Sequence, residues 1–402
     1  MANSLLTISM ITKEALRVLE NNLTFAKNVN REYDEQFGVS GAKIGDTINI
    51  RKPARYVGRT GRTLTIEDHT ETSVPLQLNT QFGVDVSFNS KDMALSLDDF
   101  SNRFLVPACA VIANKIDRDG LSLYSQIANA VGVPGTVPNA LRTYLLAGAK
   151  LDQGAAPKDK NRAVVIDPYA QVELVDAVKS LFQSGDQIAN QYESGNMGLA
   201  AGFKFSMDQN IVNHIVGPLG GTPIVNGAAQ VGSSLVTSGW TAAAALRLNK
   251  GDIFTLPLVF AVNPQSRQST GQLQQFVVTA AVSSDVSGNA TIPIYPAITI
   301  SGAFQTVTAS PAASAALTIL GAAGVVSPAH LAYHKDAFAL GCADLPLPGG
   351  VHKAARVSDK QLGLSVRMIQ AYDITTDTFP CRLDVLFGWV TLYPELACRI
   401  QG

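Results

Sequence analysis

Between Arg51 and Thr63 the sequence reads RKPARYVGRTGRT, which crowds Arg51, Lys52, Arg55, Arg59 and Arg62 together with no acid among them. Guanidinium groups bind carboxylates and phosphates in a planar, two-pronged fashion. The formal net charge of the whole chain is −1, so this run is a local feature. A dedicated nucleic-acid binder carries a basic excess, which is missing here. Just downstream, IEDHTET supplies Glu67, Asp68 and Glu71. An acidic limb beside the basic one repels phosphate, so protein carboxylates are favoured over DNA as partners of the arginines, a plain solvated charged loop being the other alternative.

Other constellations are weaker. HLAYH puts His330 and His334 four residues apart, metal-ligand spacing on a helix, but lacks a glutamate between them and a third ligand. Two structural histidines, or one structural and one exposed, are expected. DRDG (117–120) opens like half a calcium loop without its distal glutamate, and reads as a solvated helix face. The glycines of GNMGLAAG (195–202) do not follow a dinucleotide fingerprint and read as a mobile loop. Neither GxxxxGK(S/T) nor GxSxG occurs. Cys109, Cys342, Cys381 and Cys398 form no CxxC pair, and buried reduced thiols are expected. No catalytic residue, cofactor or metal is expected.

The elements that must position the charged run follow from periodicity. Residues 12–30 read as an amphipathic helix, capped by Thr12, with Leu16, Leu19 and Leu23 on one face. Over 44–88 DTINI, VPLQL and FGVDVSF alternate as strands, and the first two with the charged run between them make a long hairpin projecting from the body. Residues 97–130 read as one long helix with kinks at Pro107 and Gly120. A helix over 139–153 follows, then a strand at RAVVID and a helix from Pro168. From 217 to 328 charges nearly vanish and short strand-like runs alternate with turns, the pattern of an inserted all-β domain. LGLSVRMIQAYD and CRLDVLFGWVTLY are further strands.

Charged residues make up 16% of the chain, against a usual ~25%, which suits a surface covered by other subunits. The N-terminus lacks the basic region and apolar run of a signal peptide. No uninterrupted apolar stretch is long enough to span a membrane.

Four stretches carry a resemblance: SLLTISMITKEALRVLENNL (4–23), LNKGDIFTLPLVFAVNPQSRQSTGQLQQFVVTAAVSSDVSGNATIPIYPAI (248–297), HLAYHKDAFALGCADLP (330–346) and LSVRMIQAYDITTDTFPCRLDVLFGWVTLYPELACRI (364–400). In number and order they resemble the major capsid (coat) proteins of tailed double-stranded-DNA bacteriophages. The likeness is to the short-tailed Salmonella-phage type with an inserted β-domain. The resemblance implies an α+β chain with the tailed-phage capsid fold. Residues 1–41 would be the N-terminal arm and 42–87 the extended loop lying across a neighbouring subunit. Residues 88–159 would be the peripheral domain with spine helix 97–130. Residues 160–216 and 329–402 would be the axial domain, its final strands returning to the peripheral domain, and 217–328 the insertion.

It further implies hexamers and pentamers of an icosahedral shell, a scaffolding protein, a portal, and double-stranded DNA packaged non-specifically inside. Assembly would take place in the bacterial host cytoplasm. Arg51, Lys52, Arg55, Arg59, Arg62, Glu67, Asp68 and Glu71 would then form intersubunit pairs, and Pro107 and Gly120 would let the spine helix change curvature as the shell expands. The alternatives are an encapsulin-like shell around a cargo enzyme and an enzyme with an appended β-domain.

Overall fold

The computed structural model of the chain describes residues 8–31, 47–64, 66–67, 71–89, 105–178, 197–359 and 363–401. In chain order, α1 (Ile8–Asn22) precedes a ribbon of β1 (Thr47–Lys52) and β2 (Thr72–Gln77), then β3 (Thr80–Asn89) and α2 (Val106–Leu121). Next come β4 (Ala130–Gly132), α3 (Leu141–Gln153), β5 (Arg162–Ile166), α4 (Pro168–Val178), β6 (Leu199–Ala200), β7 (Phe203–Met207) and β8 (Asn213–Ile215). An all-strand stretch holds β9 (Ile224–Val225), β10 (Gly232–Ser238), β11 (Ala245–Leu248), β12 (Ile253–Val262), β13 (Ser269–Val278), β14 (Val282–Ser284), β15 (Ala290–Ile298) and β16 (Thr318–Ile319). The last strands are β17 (Val326–His334), β18 (Phe338–Ala343), β19 (Lys353–Asp359), β20 (Leu364–Gln370), β21 (Thr378–Thr391) and β22 (Ala397–Gln401). The chain is α+β and divides into two units.

The first unit comprises Met1–Arg51, Ser73–Gly120 and Phe338–Leu392. Its sheet has the order β18-β21-β20-β19, with β3 also paired to β21. Helix α1 packs on β19 and β20 and buries Ala15, Leu16, Val18 and Leu19. Among the described residues the helix runs from Ile8 to Asn22. Thr12, expected as the cap, is therefore inside the helix and buried.

Helix α2 buries Ala108, Cys109, Ile112, Ala113 and Ile116. It ends at Leu121, nine residues before the expected end, and passes through a 3-10 turn (Ser122–Gln126) into extended backbone. Tertiary pairing explains the early stop. The Gln275 side chain takes both the N–H and the carbonyl of Ala130, and Arg399 donates to Ile127 O at 3.0 Å. Pro107 lies in α2 two residues after Leu105, whose backbone is π-helical. The start of the expected helix, 97–104, lies outside the described residues. Gly120 marks a close approach: a Cβ there would stand 2.7 Å from Phe25 and Trp389 ring atoms.

Two buried carboxylates organise this unit. Asp117, on the segment read as a solvated face, is buried. It accepts N–H groups from Thr24, Phe25 and Ala26 at 2.6, 3.3 and 2.9 Å, and so holds the 3-10 turn Ala26–Asn28 against α2. Its neighbour Asp119 pairs with Lys115 at 2.8 Å. Asp384, in the middle of β21, is fully buried. It accepts from Arg367 and Gln81 on Oδ2 and from Arg382 on Oδ1. Gly83 lies opposite it in register, and a Cβ at Gly83 would meet the Asp384 carboxylate.

The second unit comprises Lys52–Thr72, Leu121–Ala337 and Tyr393–Gly402. One sheet has the order β4-β22-β17-β5-β7-β6, with β8 also on β17. Helices α3 and α4 share its core through Tyr144, Ala147, Leu151, Ala170 and Leu174. Asp167 caps α4 by accepting Ala170 N–H at 2.8 Å, ahead of Pro168. GNMGLAAG is less loop-like than its glycines suggested. Met197 is buried, and Ala201 and Gly202, both at positive φ, turn the β6–β7 hairpin.

Residues between β8 and β17 form a second sheet, β16-β12-β13-β15-β10-β9, beside a β11–β14 ribbon. Phe254, Leu256, Phe276, Val278, Ile292, Ile294 and Leu235 build its own core. The chain leaves and returns side by side, since Ile215 pairs with Val326 and His214 with Ser327. All four cysteines are buried thiols. Among the described residues no helix is long and apolar enough to cross a membrane.

Candidate assembly interface

The basic run is the loop joining β1 to β2, and its root is fastened within the second unit. Arg55 donates to Glu395 Oε1 at 2.6 Å, and its guanidinium lies 5.7 Å from the centre of the Phe304 ring. Lys52 sits 4.9 Å from the Tyr393 ring centre. Burial lowers the Lys52 pKa, with Glu395 opposing and Arg55 adding to the lowering. Tyr295 reaches the other Glu395 oxygen at 3.5 Å, and its phenol is pushed upward by burial first and by Glu395 second. Arg267 donates to Tyr56 O at 2.6 Å and to Ala303 O at 3.3 Å. Glu395, Arg267, Tyr295, Phe304 and Tyr393 were not singled out from the sequence. A pair 340 residues apart leaves no spacing signal.

The tip is differently arranged. Glu67 does not pair with an arginine; its two oxygens accept Val57 N–H at 2.7 Å and Gly58 N–H at 2.6 Å. Arg59 bonds back to Gly61 O. Arg51, Arg59, Arg62 and Glu71 are exposed, as are the apolar Tyr56, Val57, Leu64 and Ile66. Asp68 lies outside the described residues. The acidic limb therefore stabilises the loop's own backbone through Glu67. Arg55 has an in-chain partner, and the exposed tip combines arginines with large apolar side chains.

The two histidines of HLAYH lie on strand β17, not on a helix. Four-residue spacing on a strand puts them on one face but about 13 Å apart, too far to share a metal. His330 is buried and accepts Asp167 N–H through Nδ1 at 3.3 Å. His334 meets Asp159 at 3.0 Å. Burial would raise the Asp159 carboxyl, but hydrogen bonds from Asn161 and His334 outweigh it and hold it at about 2.

Desolvation lowers His330 to about 4, with Asp167 opposing. Below pH 6.5 the unfolded chain takes up a proton that the folded chain refuses until about pH 4. Stability is therefore fully present above pH 6.5 and falls as pH drops. The loss from this group accumulates as pH falls from 6.5 toward 4. His330→Met removes it, so denaturant melts of the two proteins should diverge across that window, the native chain showing the steeper fall.

A buried polar chain that sequence reading missed joins the two sheets of the second unit. His214 contacts Asp252 Oδ1 at 2.9 Å and Tyr124 Oη at 3.2 Å. The other Asp252 oxygen accepts Gly217 and Asn249 N–H groups. All three side chains are buried, so this Tyr-His-Asp chain fastens the inserted strands and offers no surface for catalysis.

The profile of the family described as "P22 coat protein - gene protein 5" matches residues 1–402. No curated protein matches. Among solved structures, one described as "Mycobacterium phage Che8" is similar at 12% identity and a TM-score of 0.49, covering 94% of this chain and 90% of that one. "Asymmetric unit of bacteriophage PhiM1 mature capsid" is similar at 11% identity and a TM-score of 0.42, covering 89% and 83%. A virus-like particle from Pyrococcus furiosus is similar at 8% identity and a TM-score of 0.40, covering 97% of each chain.

Proposed function

The chain belongs to the P22 coat protein family and is a structural subunit of a phage capsid; from that premise we propose that it builds an icosahedral shell around double-stranded DNA. It acts structurally and not as a catalyst. Hexamers and pentamers of the chain form on a scaffolding protein around a portal, in the host cytoplasm. The arm is 1–41 and the extended loop 42–87. Residues 88–159, with α2 as the spine helix, serve as the peripheral domain, and 160–216 with 329–402 as the axial domain, the final strands returning to the peripheral domain. Residues 217–328 are an insertion that stabilises the subunit.

One observation carries the reading of the loop: its root is fastened in the chain while its tip exposes Arg59, Arg62, Leu64 and Ile66. Such a tip suits a neighbouring subunit's acidic surface. Exposed charge pairs add only ~0–1 kcal/mol each but fix register and orientation. Repeated around a closed shell they add up, while each remains weak enough to break and re-form during assembly.

The test compares two alterations. Arg59→Ala with Arg62→Ala should lower shell yield severalfold without changing the melting of the soluble chain. Arg55→Ala should lower the chain's own stability by about 1 kcal/mol. Shells formed normally by the double variant, with only DNA retention reduced, would contradict intersubunit pairing and favour phosphate contact.

A further inference from the structure

Two turns of the inserted strands lie against the root of the basic loop. The first joins β12 to β13 and is folded on Asn263, whose Oδ1 accepts the N–H groups of Gln265 and Ser266, each at 2.9 Å. Its backbone closes through Arg267 N–H to Asn263 O at 2.9 Å and Asn263 N–H to Gln268 O at 3.0 Å. The second follows β15, where Gln305 N–H reaches Gly302 O at 3.2 Å. Val262 N–H to Thr306 O at 3.2 Å and Thr308 N–H to Phe260 O at 3.0 Å tie the two turns together. This cradle owes nothing to the loop it touches. Arg267 leaves the first turn toward Tyr56 O, the Phe304 ring of the second turn meets the Arg55 guanidinium, and Tyr295 of β15 shares Glu395 with Arg55.

Arg267 is the informative residue. Its φ is 54°, in the left-handed region where a side chain costs energy and glycine is the usual choice. Gln265, Ser266, Gln268 and Ser269 around it are exposed, while Arg267 is half-buried. The turn's own backbone gives no reason for an arginine at that position. Its side chain does, since one nitrogen, Nη2, reaches both Ala303 O in the second turn and Tyr56 O in the loop, 211 residues away in sequence.

We propose that the inserted strands are a clamp that aims the basic loop, with Arg267 as its positioning residue. Fixing the root beforehand removes orientational freedom that contact with a neighbouring copy would otherwise have to remove. The inference rests on the reading of the loop as an intersubunit arm. It gives the insertion a role beyond stabilising its own chain.

The experiment uses the full chain and takes trypsin cleavage after Arg55 as its reporter, read by mass spectrometry. That bond lies inside the clamp, with Arg55 paired to Glu395 and the next carbonyl, Tyr56 O, held by Arg267. Cleavage after the exposed Lys160 is the internal reference. Arg267→Gly suits the φ of the turn and removes the grip, so melting of the soluble chain should be unchanged or slightly raised. Cleavage after Arg55 relative to Lys160 should rise about tenfold, because proteolysis follows the population of the open form. Arg267→Lys keeps a cationic donor and should stay within about threefold of the native ratio. In shells produced with the companion capsid proteins, Arg267→Gly should lower yield severalfold and Arg267→Lys should not. An unchanged ratio for Arg267→Gly would overturn the clamp. Cleavage that rises equally at Lys160 would show general loosening and overturn it too. A raised ratio with normal shells would overturn the aiming role. If the unaltered chain forms no shells, the coat reading fails, while the cleavage ratio still decides whether the inserted strands hold the loop.

Discussion

Replacing Asp117 with alanine should destabilise the first unit by about 3–5 kcal/mol, measured as a shift in its denaturant midpoint. The carboxylate accepts three backbone N–H groups from residues 24–26, and two of those contacts are buried. A buried donor left without an acceptor costs about 1–3 kcal/mol, and bonds to a charged acceptor are the stronger kind. Alanine removes all three acceptor contacts at once. Asp117→Asn keeps one carbonyl oxygen and should lose about half as much. The turn these bonds hold also seats Phe25 against Phe338 and Trp389, at ring-centre distances of 5.5 and 5.4 Å. A loss below about 1 kcal/mol for the alanine variant would show that the turn is held by ring packing instead.

Asp384→Ala should cost a similar amount, about 3–5 kcal/mol, by a different route. Arg367 is nearly buried, with only 11% of its side chain exposed, and Asp384 is its carboxylate partner. Removing the acid strands a desolvated guanidinium. Arg382 also pairs with Asp384 but is half exposed and can return to water. Removing both buried charges together, as Asp384→Leu with Arg367→Met, should recover most of the loss, since a buried ion pair is often no more stable than apolar residues of similar volume. The check is a double-mutant cycle by chemical denaturation. A double variant as unstable as Asp384→Ala would show that the network is needed for more than charge neutrality.

Both carboxylates illustrate where reading the sequence stops. The strand alternation of FGVDVSF and CRLDVLFGWVTLY correctly indicates β3 and β21. It does not show that β21 is covered on both faces, so the charge of Asp384 is hidden in a pattern that looks half-solvated. Asp117 occupies a helical position that a surface acid would also occupy. Its partners are some ninety residues away, beyond any periodicity. The expected extension of the helix to 130 fails for the same reason: Gln275 and Arg399 claim the backbone at 127–130. Local chemistry was legible where the signal is local, as in Pro168 at the start of α4. At the loop, the sequence showed the density of charge. It did not show that Arg55 answers to Glu395 or that Glu67 binds backbone. HLAYH was ambiguous because even spacing also aligns residues on a strand, and burial by β22 and β5 decided the matter.

The most direct test is negative-stain electron microscopy of the purified full-length chain, made alone and together with its companion capsid proteins. A coat subunit gives closed, uniform shells tens of nanometres across in at least the second preparation. Monomers or small oligomers in both would contradict the account at its centre.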